Sequence, residues 1–404
     1  MQTAFATVDE AVREIRAGRM VVVVDDEDRE NEGDLTLAAE FATPEAINFM
    51  AKYGRGLICL TLTEERADAL RLAPMTQENT SRFGTAFTES IEAREGVTTG
   101  ISAADRAHTI RVAIDPASTA NDLARPGHVF PLRARKGGVL VRAGQTEAAV
   151  DLARMAGLVP AGVICEIMND DGTMARVPDL IEFCKTHNLL MLTVADLIRY
   201  RLQHERYIHR VAEAILPTEF GEFRMIAYEN EGDNGESHVA LVMGDVTAQA
   251  NPDQPIPVRV HTHSLAEDVF GLACAGISPG GVASASGREL IDSSLRLIAE
   301  AGRGAFLYLH SGTRGFGIDR SVTPHRIVFQ HGQRLRERGA PTGRDDHSTR
   351  ILRQVGLGSQ ILSDLGIRKI RLLTNTPTHV PALQGFGIEI VDQLPIPTRT
   401  SMHY

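Results

Sequence analysis

At 404 residues and 43.9 kDa, the chain is longer than one hydrophobic core usually serves, so two domains of about 200 residues each are expected. Hydrophobic content of 43% with charged content of 23% excludes wholesale disorder, and 36 glycines without a triplet period exclude collagen. A formal net charge of −10 argues against broad binding to nucleic acid or an anionic membrane and leaves room for a local basic pocket around a single phosphate.

The stretch Met1 to Glu10 lacks the basic and apolar regions of a signal peptide, and apolar runs such as Met20–Val24 fall short of the roughly 20 residues that span a bilayer. Cys59, Cys165, Cys184 and Cys274 form no CxxC pair, the pattern of reduced thiols rather than a disulfide framework. With no Trp and 5% aromatics there is little material for a base-stacking surface. The expectation is a cytoplasmic metabolic protein that binds neither nucleic acid nor membrane.

In chain order, Met20–Val24 reads as a buried strand running into the acidic segment Asp25–Asp34. Pro44–Tyr53 reads as a helix capped by Thr43, Gly56–Leu62 as a strand, and Glu64–Leu70 as a short helix opened by Thr63. The polar stretch Ala73–Gly100 has poor periodicity and is expected to be a long functional loop. Strands are expected at Thr109–Ile114, Gly138–Arg142 and Gly162–Glu166, and helices at Thr146–Ala156, Pro178–His187 and Val194–Arg201. Gln203–Val211 is the expected junction. Beyond it, strands are expected at Phe223–Tyr228, Ser237–Met243, Val258–His261, Ala305–His310, Ile370–Thr374 and Ile388–Val391, with helices at Glu289–Ala301 and Leu357–Leu365. Interleaved strands and helices predict an α/β (α+β layered) fold in two domains, 1–205 and 206–404.

Four features carry chemistry. Asp25–Asp34 packs seven acids into ten residues directly after a strand, together with Arg29 and Gly33. It is either a solvated charge run or, being at the carboxyl end of an apolar strand, an oxygen-rich site for Mg²⁺ or Mn²⁺. Arg142-Ala-Gly144-Gln145-Thr146-Glu147 follows a strand and opens a helix, where backbone N–H groups, an Arg and a hydroxyl suit a phosphate. His128 sits beside a Pro-Gly turn, structural or catalytic. Glu166 ends an apolar strand, either as a plain ion-pair partner or as a pocket acid.

In their order along the chain, DDEDRENEGD, RPGH, RAGQTEAAVDLARMAG and CEIMNDDGTMAR resemble 3,4-dihydroxy-2-butanone 4-phosphate synthase of riboflavin biosynthesis, over about residues 5–205. The resemblance implies a lyase that turns D-ribulose 5-phosphate into L-3,4-dihydroxy-2-butanone 4-phosphate and formate with Mg²⁺ or Mn²⁺, and a homodimer. It implies Glu30 as a metal ligand, Arg29 and Asp34 on the sugar, Glu32 shaping the acidic pocket and acting in catalysis, and Arg142, Gly144 and Thr146 around the phosphate. His128 and Glu166 match catalytic positions, Glu166 also touching substrate; Cys59 lines the pocket and Thr99 is a further phosphate candidate. Where the family has a metal-binding His in RAGHTE, this chain has Gln145. Its amide oxygen can serve as a hard ligand, or the change can abolish metal binding and leave a regulatory domain.

The second half resembles GTP cyclohydrolase II through PVRVHTHSLAEDVFG, GRGAFLYLHSGTRGFGI and IRLLTNTP. That family holds zinc with three cysteines. Here Ser264 stands at the first position and only Cys274 follows Gly271, and one thiolate cannot build a tetrahedral zinc site. The family's RQEGRGIG is reduced to His310-Ser-Gly312-Thr-Arg314-Gly-Phe-Gly317, and its Asp-x-Arg-x-Tyr pattern has Ile351 at the Asp and Arg353 at the Arg. No zinc and no GTP hydrolysis are therefore expected. The alternatives are a bifunctional enzyme and a non-catalytic homologue with both sites decayed.

Overall fold

A computed structural model describes residues 5–25, 29–79, 84–230, 237–250, 254–271, 286–310, 317–319, 326–328, 347–375 and 387–398. It contains two compact units, one formed chiefly by residues up to Arg201 and the other chiefly by residues from Leu202 onward. Each is built on a seven-stranded mixed sheet with helices, as the α/β expectation required. No helix among the described residues is long and apolar enough to cross a membrane.

The first unit runs α1 (Val8–Arg16), β1 (Val21–Val24), β2 (Gly33–Ala38), α2 (Pro44–Phe49), β3 (Cys59–Leu62), α3 (Glu64–Ala69), β4 (Ile91–Ala93), α4 (Ala103–Ile114), β5 (Leu123–Arg133), α5 (Gln145–Met155), β6 (Ala161–Glu166), α6 (Val177–His187), β7 (Leu190–Thr193) and α7 (Val194–His204). Local chemistry starts the helices. Thr7 and Glu10 form a capping box on α1, while Thr43 and Thr63 accept backbone N–H groups at the starts of α2 and α3.

The strand order is β4-β5-β3-β6-β2-β1-β7. One face buries Leu35, Leu37, Val163 and Cys165 against Ile47 and Met50. On the opposite face Cys59 and Ile164 pack on Ala149 of α5. Register and alternation decide which face carries the acids. Cys59 lies opposite Ile164, and Asp34 lies opposite Glu166, two residues on from Ile164. Asp34, Glu166 and Cys59 thus share the α5 side of the sheet.

Two strand expectations fail, each for a local reason. Thr109–Ile114 is the second half of α4: its β-branched residues suggest a strand, but buried Ala107, Ile110, Ala113 and Ile114 follow helical spacing and Ser102 caps the start. Gly138–Arg142 is not extended, because Gly137 and Gly138 take φ of +93° and +63° and Gly138–Leu140 forms a 3₁₀ turn. A Cβ on Gly138 would lie 2.2 Å from the Asp151 carboxylate oxygens, so only glycine fits. The expected loop 73–100 contains β4, and α1, β2, β5 and β7 were not expected at all.

The second unit contains β8 (Ile208–Thr218), β9 (Gly221–Asn230), β10 (Ser237–Met243), β11 (Ile256–Thr262), α8 (Leu265–Asp268), α9 (Gly287–Glu300), β12 (Gly304–Leu309), β13 (Gly317–Asp319), β14 (Arg326–Val328), α10 (His347–Asp364), β15 (Lys369–Leu373) and β16 (Glu389–Leu394). Its sheet order is β16-β15-β11-β12-β10-β9-β8, parallel from β16 to β12 and antiparallel beyond. The expected junction, Gln203–Val211, holds the end of α7 and the first residues of β8.

Candidate active site

The acidic segment begins where β1 ends. Asp25 is buried, and its carboxylate is the hub of the turn. It accepts the backbone N–H of Glu30 at 3.1 Å and of Glu32 at 2.9 Å, and the Arg29 guanidinium at 2.7 Å. Asn31 takes the left-handed φ of +54° that the turn demands and Asn tolerates. Arg176, at the start of α6, donates to the carbonyls of Glu30 at 2.8 Å and of Asn31. Asp26, Glu27 and Asp28 lie outside the described residues.

Arg29 is a compensating charge at the centre of the turn. Besides Asp25 it meets Glu30 Oε2 at 3.0 Å. Burial works against its charge, and the Glu30 and Asp25 carboxylates outweigh that and hold its pKa above the ordinary value. Burial first, then the charge of Glu30, pushes the Glu32 carboxyl up. On the adjoining strands Asp34 is raised well above its usual range by burial and then by Glu166, while Glu166 is raised mainly by burial. Glu166 is held in place by the Leu57 N–H, which donates to its Oε2 at 2.8 Å.

A carboxylate group that resists ionisation in this way favours a nearby cation. Among the described residues no three Asp, Glu, His or Cys side chains are arranged to hold an ion unaided. Mg²⁺ does not require that, since it is commonly held by one or two carboxylates and completes its shell with water and substrate oxygens. The partly exposed Glu30 and Glu32 carboxylates suit such an ion.

The start of α5 faces the same turn. Gly144 is its N-cap, and Gln145 and Thr146 are its first two residues, both buried. Gln145 Oε1 accepts from Arg29 at 3.0 Å, and its Nε2 donates to the Glu32 carbonyl at 3.3 Å. Arg142 pairs with buried Glu147 at 2.7 Å. A Cβ on Gly144 would come within 2.6 Å of Arg142 Nη1 and 3.1 Å of Arg29 Nη2, so two guanidinium groups crowd the backbone at the helix start. Backbone N–H groups, the Thr146 hydroxyl and two cations together suit a phosphate.

Cys59 is a buried free thiol whose pKa is raised by burial and by the charges of Glu166 and Asp34. A thiol held protonated in this way is a poor nucleophile. Among the described residues, His128 and Thr99 make no hydrogen bond or ion pair with the turn. The RPGH segment falls where the β4–β5 ladder slips: Ile91 pairs with Val129 but Glu92 pairs with Ala124, leaving residues 125–128 as a bulge. His128 Nδ1 meets Glu92 Oε2 at 2.6 Å. If Nδ1 carries the proton in that contact, Nε2 is the free nitrogen. Thr99 is exposed in a loop pinned by Asp105, which accepts from Thr98 and from the Gly100 N–H.

The residues missed by sequence reasoning are Asp25 as hub, Arg176, Glu92 and Glu147. Asp25 was visible as one acid among seven, and the others are joined to the site only by the fold.

In the second unit, Asp268 gathers three donors or near neighbours: His261 Nε2 at 2.8 Å, the Tyr308 hydroxyl at 2.7 Å and the Ser264 N–H at 2.9 Å. His263 and His310 stack with centroids 4.9 Å apart. His238, fully buried, has its pKa pushed down to about 4 by burial and then by His310. Cys274, Gly312 and Arg314 lie outside the described residues, as do the side chains of Ile351 and Arg353.

Comparison with known proteins agrees with both halves of this picture. The family model of 3,4-dihydroxy-2-butanone 4-phosphate synthase matches residues 9–200, and that of GTP cyclohydrolase II matches residues 209–395. The chain is 52% identical to the riboflavin biosynthesis protein RibBA of Aquifex aeolicus, covering 97% of this chain and 92% of that one. It is 46% identical to the RibBA of Bacillus subtilis, covering 99% and 95%. Among solved structures, RibBX from A. baumannii, described as a two-domain 3,4-dihydroxy-2-butanone 4-phosphate synthase, superposes with a TM-score of 0.75 at 37% identity, covering 97% of this chain and all of that one. The chain thus belongs to the family of two-domain riboflavin biosynthesis enzymes that join a 3,4-dihydroxy-2-butanone 4-phosphate synthase, a lyase, to a GTP cyclohydrolase II domain.

Proposed function

We propose that the first unit converts D-ribulose 5-phosphate to L-3,4-dihydroxy-2-butanone 4-phosphate and formate, and that the second unit no longer hydrolyses GTP. The observation that carries the first part is the meeting of the acidic turn with the start of α5 on one face of the sheet. Carboxylates for the sugar end stand beside cations and N–H groups for the phosphate end.

In this proposal Arg142, Gly144 and Thr146 hold the phosphate, Arg29 and Asp34 engage the sugar, and Cys59 closes the wall. Holding the phosphate supplies the remote binding energy that orients a small flexible sugar. Glu30, with Glu32 beside it, would hold Mg²⁺ or Mn²⁺, which stabilises negative charge developing on adjacent oxygens when bound. Proton movement falls to Glu166 and Glu32, whose carboxyls burial raises above their ordinary value, and to His128, whose ring is held by Glu92. Thr99 remains a phosphate candidate in its exposed loop.

The loss of GTP hydrolysis is supported by Ser264 and by the single cysteine after it, too few thiolates for a zinc site. RibBX, similar over 97% of this chain, is described as a two-domain 3,4-dihydroxy-2-butanone 4-phosphate synthase. The family resemblance further leads us to propose a cytoplasmic homodimer, with sedimentation as its test. The function is tested by supplying chelator-treated protein with D-ribulose 5-phosphate and then Mg²⁺, following formate with a coupled dehydrogenase. Metal-dependent formate release is expected, and its absence overturns the proposal.

A further inference from the structure

Gln145 sits at the first position of α5 with only 4% of its surface exposed, and both ends of its amide are engaged inside the protein. Its Oε1 accepts from Arg29 Nη1 at 3.0 Å, and its Nε2 donates to the Glu32 carbonyl at 3.3 Å. It is therefore the stitch between helix α5 and the acidic turn. The same Nη1 of Arg29 is also drawn by Asp25 at 2.7 Å and Glu30 at 3.0 Å, both on the turn. Gln145 is a hydrogen-bond acceptor on α5 that draws Arg29 toward the helix, where the charge of Glu147 acts in the same direction.

The consequence is visible at Gly144. Arg29 Nη2 and Arg142 Nη1 approach that residue so closely that a Cβ there would lie 3.1 Å and 2.6 Å from them. A cation bound to Gln145 Oε1 would stand about 2.1 Å from that oxygen. It would then crowd the guanidinium nitrogen that lies 3.0 Å from the same atom. Like charges that close repel strongly in a buried site.

The geometry points to Gln145 as a positioning residue that holds Arg29 beside Arg142 over the start of α5, so that two guanidinium groups face the substrate phosphate, and not as a ligand of the metal. This assignment rests on the function proposed above. It gives Arg29 a share in the phosphate site and leaves Glu30, with Glu32 beside it, as the chain's own carboxylates for the ion.

The test uses the full chain with Gln145→Met, Arg29→Lys and the double variant. Binding of inorganic phosphate is measured by calorimetry in chelator, without any metal, and Mn²⁺ binding is measured separately by electron paramagnetic resonance. Gln145→Met is expected to weaken metal-free phosphate binding about tenfold, the size of a lost hydrogen bond to a charged group. In the Arg29→Lys background the same change should cost less than about twofold, because the two residues act through one contact. Gln145→Asn, one methylene too short to reach Arg29, should reproduce the tenfold loss while keeping a polar side chain at the buried position.

Unchanged metal-free phosphate binding in Gln145→Met, with Mn²⁺ affinity lower by about tenfold or more, would make Gln145 a ligand and overturn the inference. Fully additive losses in the double variant would overturn it as well. Failure of the lyase reading looks different: the unaltered protein itself would release no formate.

Discussion

The two units share an architecture and differ in what their buried polar groups do. In the first, a strand ends in a turn whose Asp25, Arg29, Glu32 and Gln145 tie carboxylates to a helix start, and Asp34 and Glu166 are kept side by side at a cost in ionisation. In the second, Asp268 accepts from His261 Nε2, the Tyr308 hydroxyl and the Ser264 N–H, while the other ring nitrogen of His261, Nδ1, is buried with no hydrogen-bond partner among the described residues. The first unit gathers like charges that raise one another's pKa, whereas the second surrounds one acid with donors that lower it. The contrast teaches that a seven-stranded mixed sheet can carry buried acids either as a cluster under mutual charge pressure or as a single carboxylate ringed by donors.

The strongest way to break that comparison is at the metal. Glu30→Ala should lower Mg²⁺-dependent formate release by about 10³-fold with the fold intact by circular dichroism. Unchanged rates would reduce the acidic turn to a solvated surface. The matching change in the second unit, Ser264→Cys, should leave GTP hydrolysis at background, since the introduced thiolate and that of Cys274 would together still fall short of the family's three. GTP turnover with bound zinc in either the variant or the parent chain would contradict the asymmetry.

A smaller effect is expected at His128. His128→Asn should slow formate release by about 10²-fold or more, the worth of a general acid–base group. Glu92→Gln should cost less, about tenfold, because it only loosens the imidazole; equal losses would make Glu92 a participant in its own right.

Stability sharpens the comparison further. Removing the acceptor charge in Asp268→Asn should destabilise the second unit by about 1–3 kcal/mol without touching formate release. Against the opposing effect of burial, the hydrogen bonds from His261 and Ser264 hold the Asp268 pKa below its ordinary value. Its stabilisation is therefore present above the usual carboxylate range and fades as pH falls through its native pKa. Thermal melts of parent and variant should converge on acidification.

Asp34 has the opposite sign. Its native pKa is raised, so the contribution of its protonated form is complete below about pH 4 and is lost as pH rises through the native value. Asp34→Asn should gain on the parent by a few degrees in Tm between pH 4 and pH 8, about the shift that 1 kcal/mol produces. A constant gap would mean that Asp34 is not under charge pressure.

Much of this was legible in the chain. Thr caps, the apolar run before Asp25 and the Gly144 helix start are local signals, and they placed the acidic turn, α5 and Glu166 at element ends. What stayed hidden depends on distance along the sequence. Arg176 supports a carbonyl 146 residues away, and Gln145 reaches Arg29 across 116. Strand β5 was masked by Arg125-Pro-Gly-His128, which reads as a turn and is a bulge within the strand. Helix α4 was masked by Thr109, Ile110, Val112 and Ile114, whose β-branching favours a strand until their buried spacing is considered.

One sample decides the central claim. D-Ribulose 5-phosphate and GTP, supplied together to the purified chain with Mg²⁺ and followed by ¹³C and ³¹P nuclear magnetic resonance, should show formate appearing in step with loss of the pentulose while GTP is untouched. A pentulose signal that persists unchanged, or GTP consumed alongside it, would contradict the account.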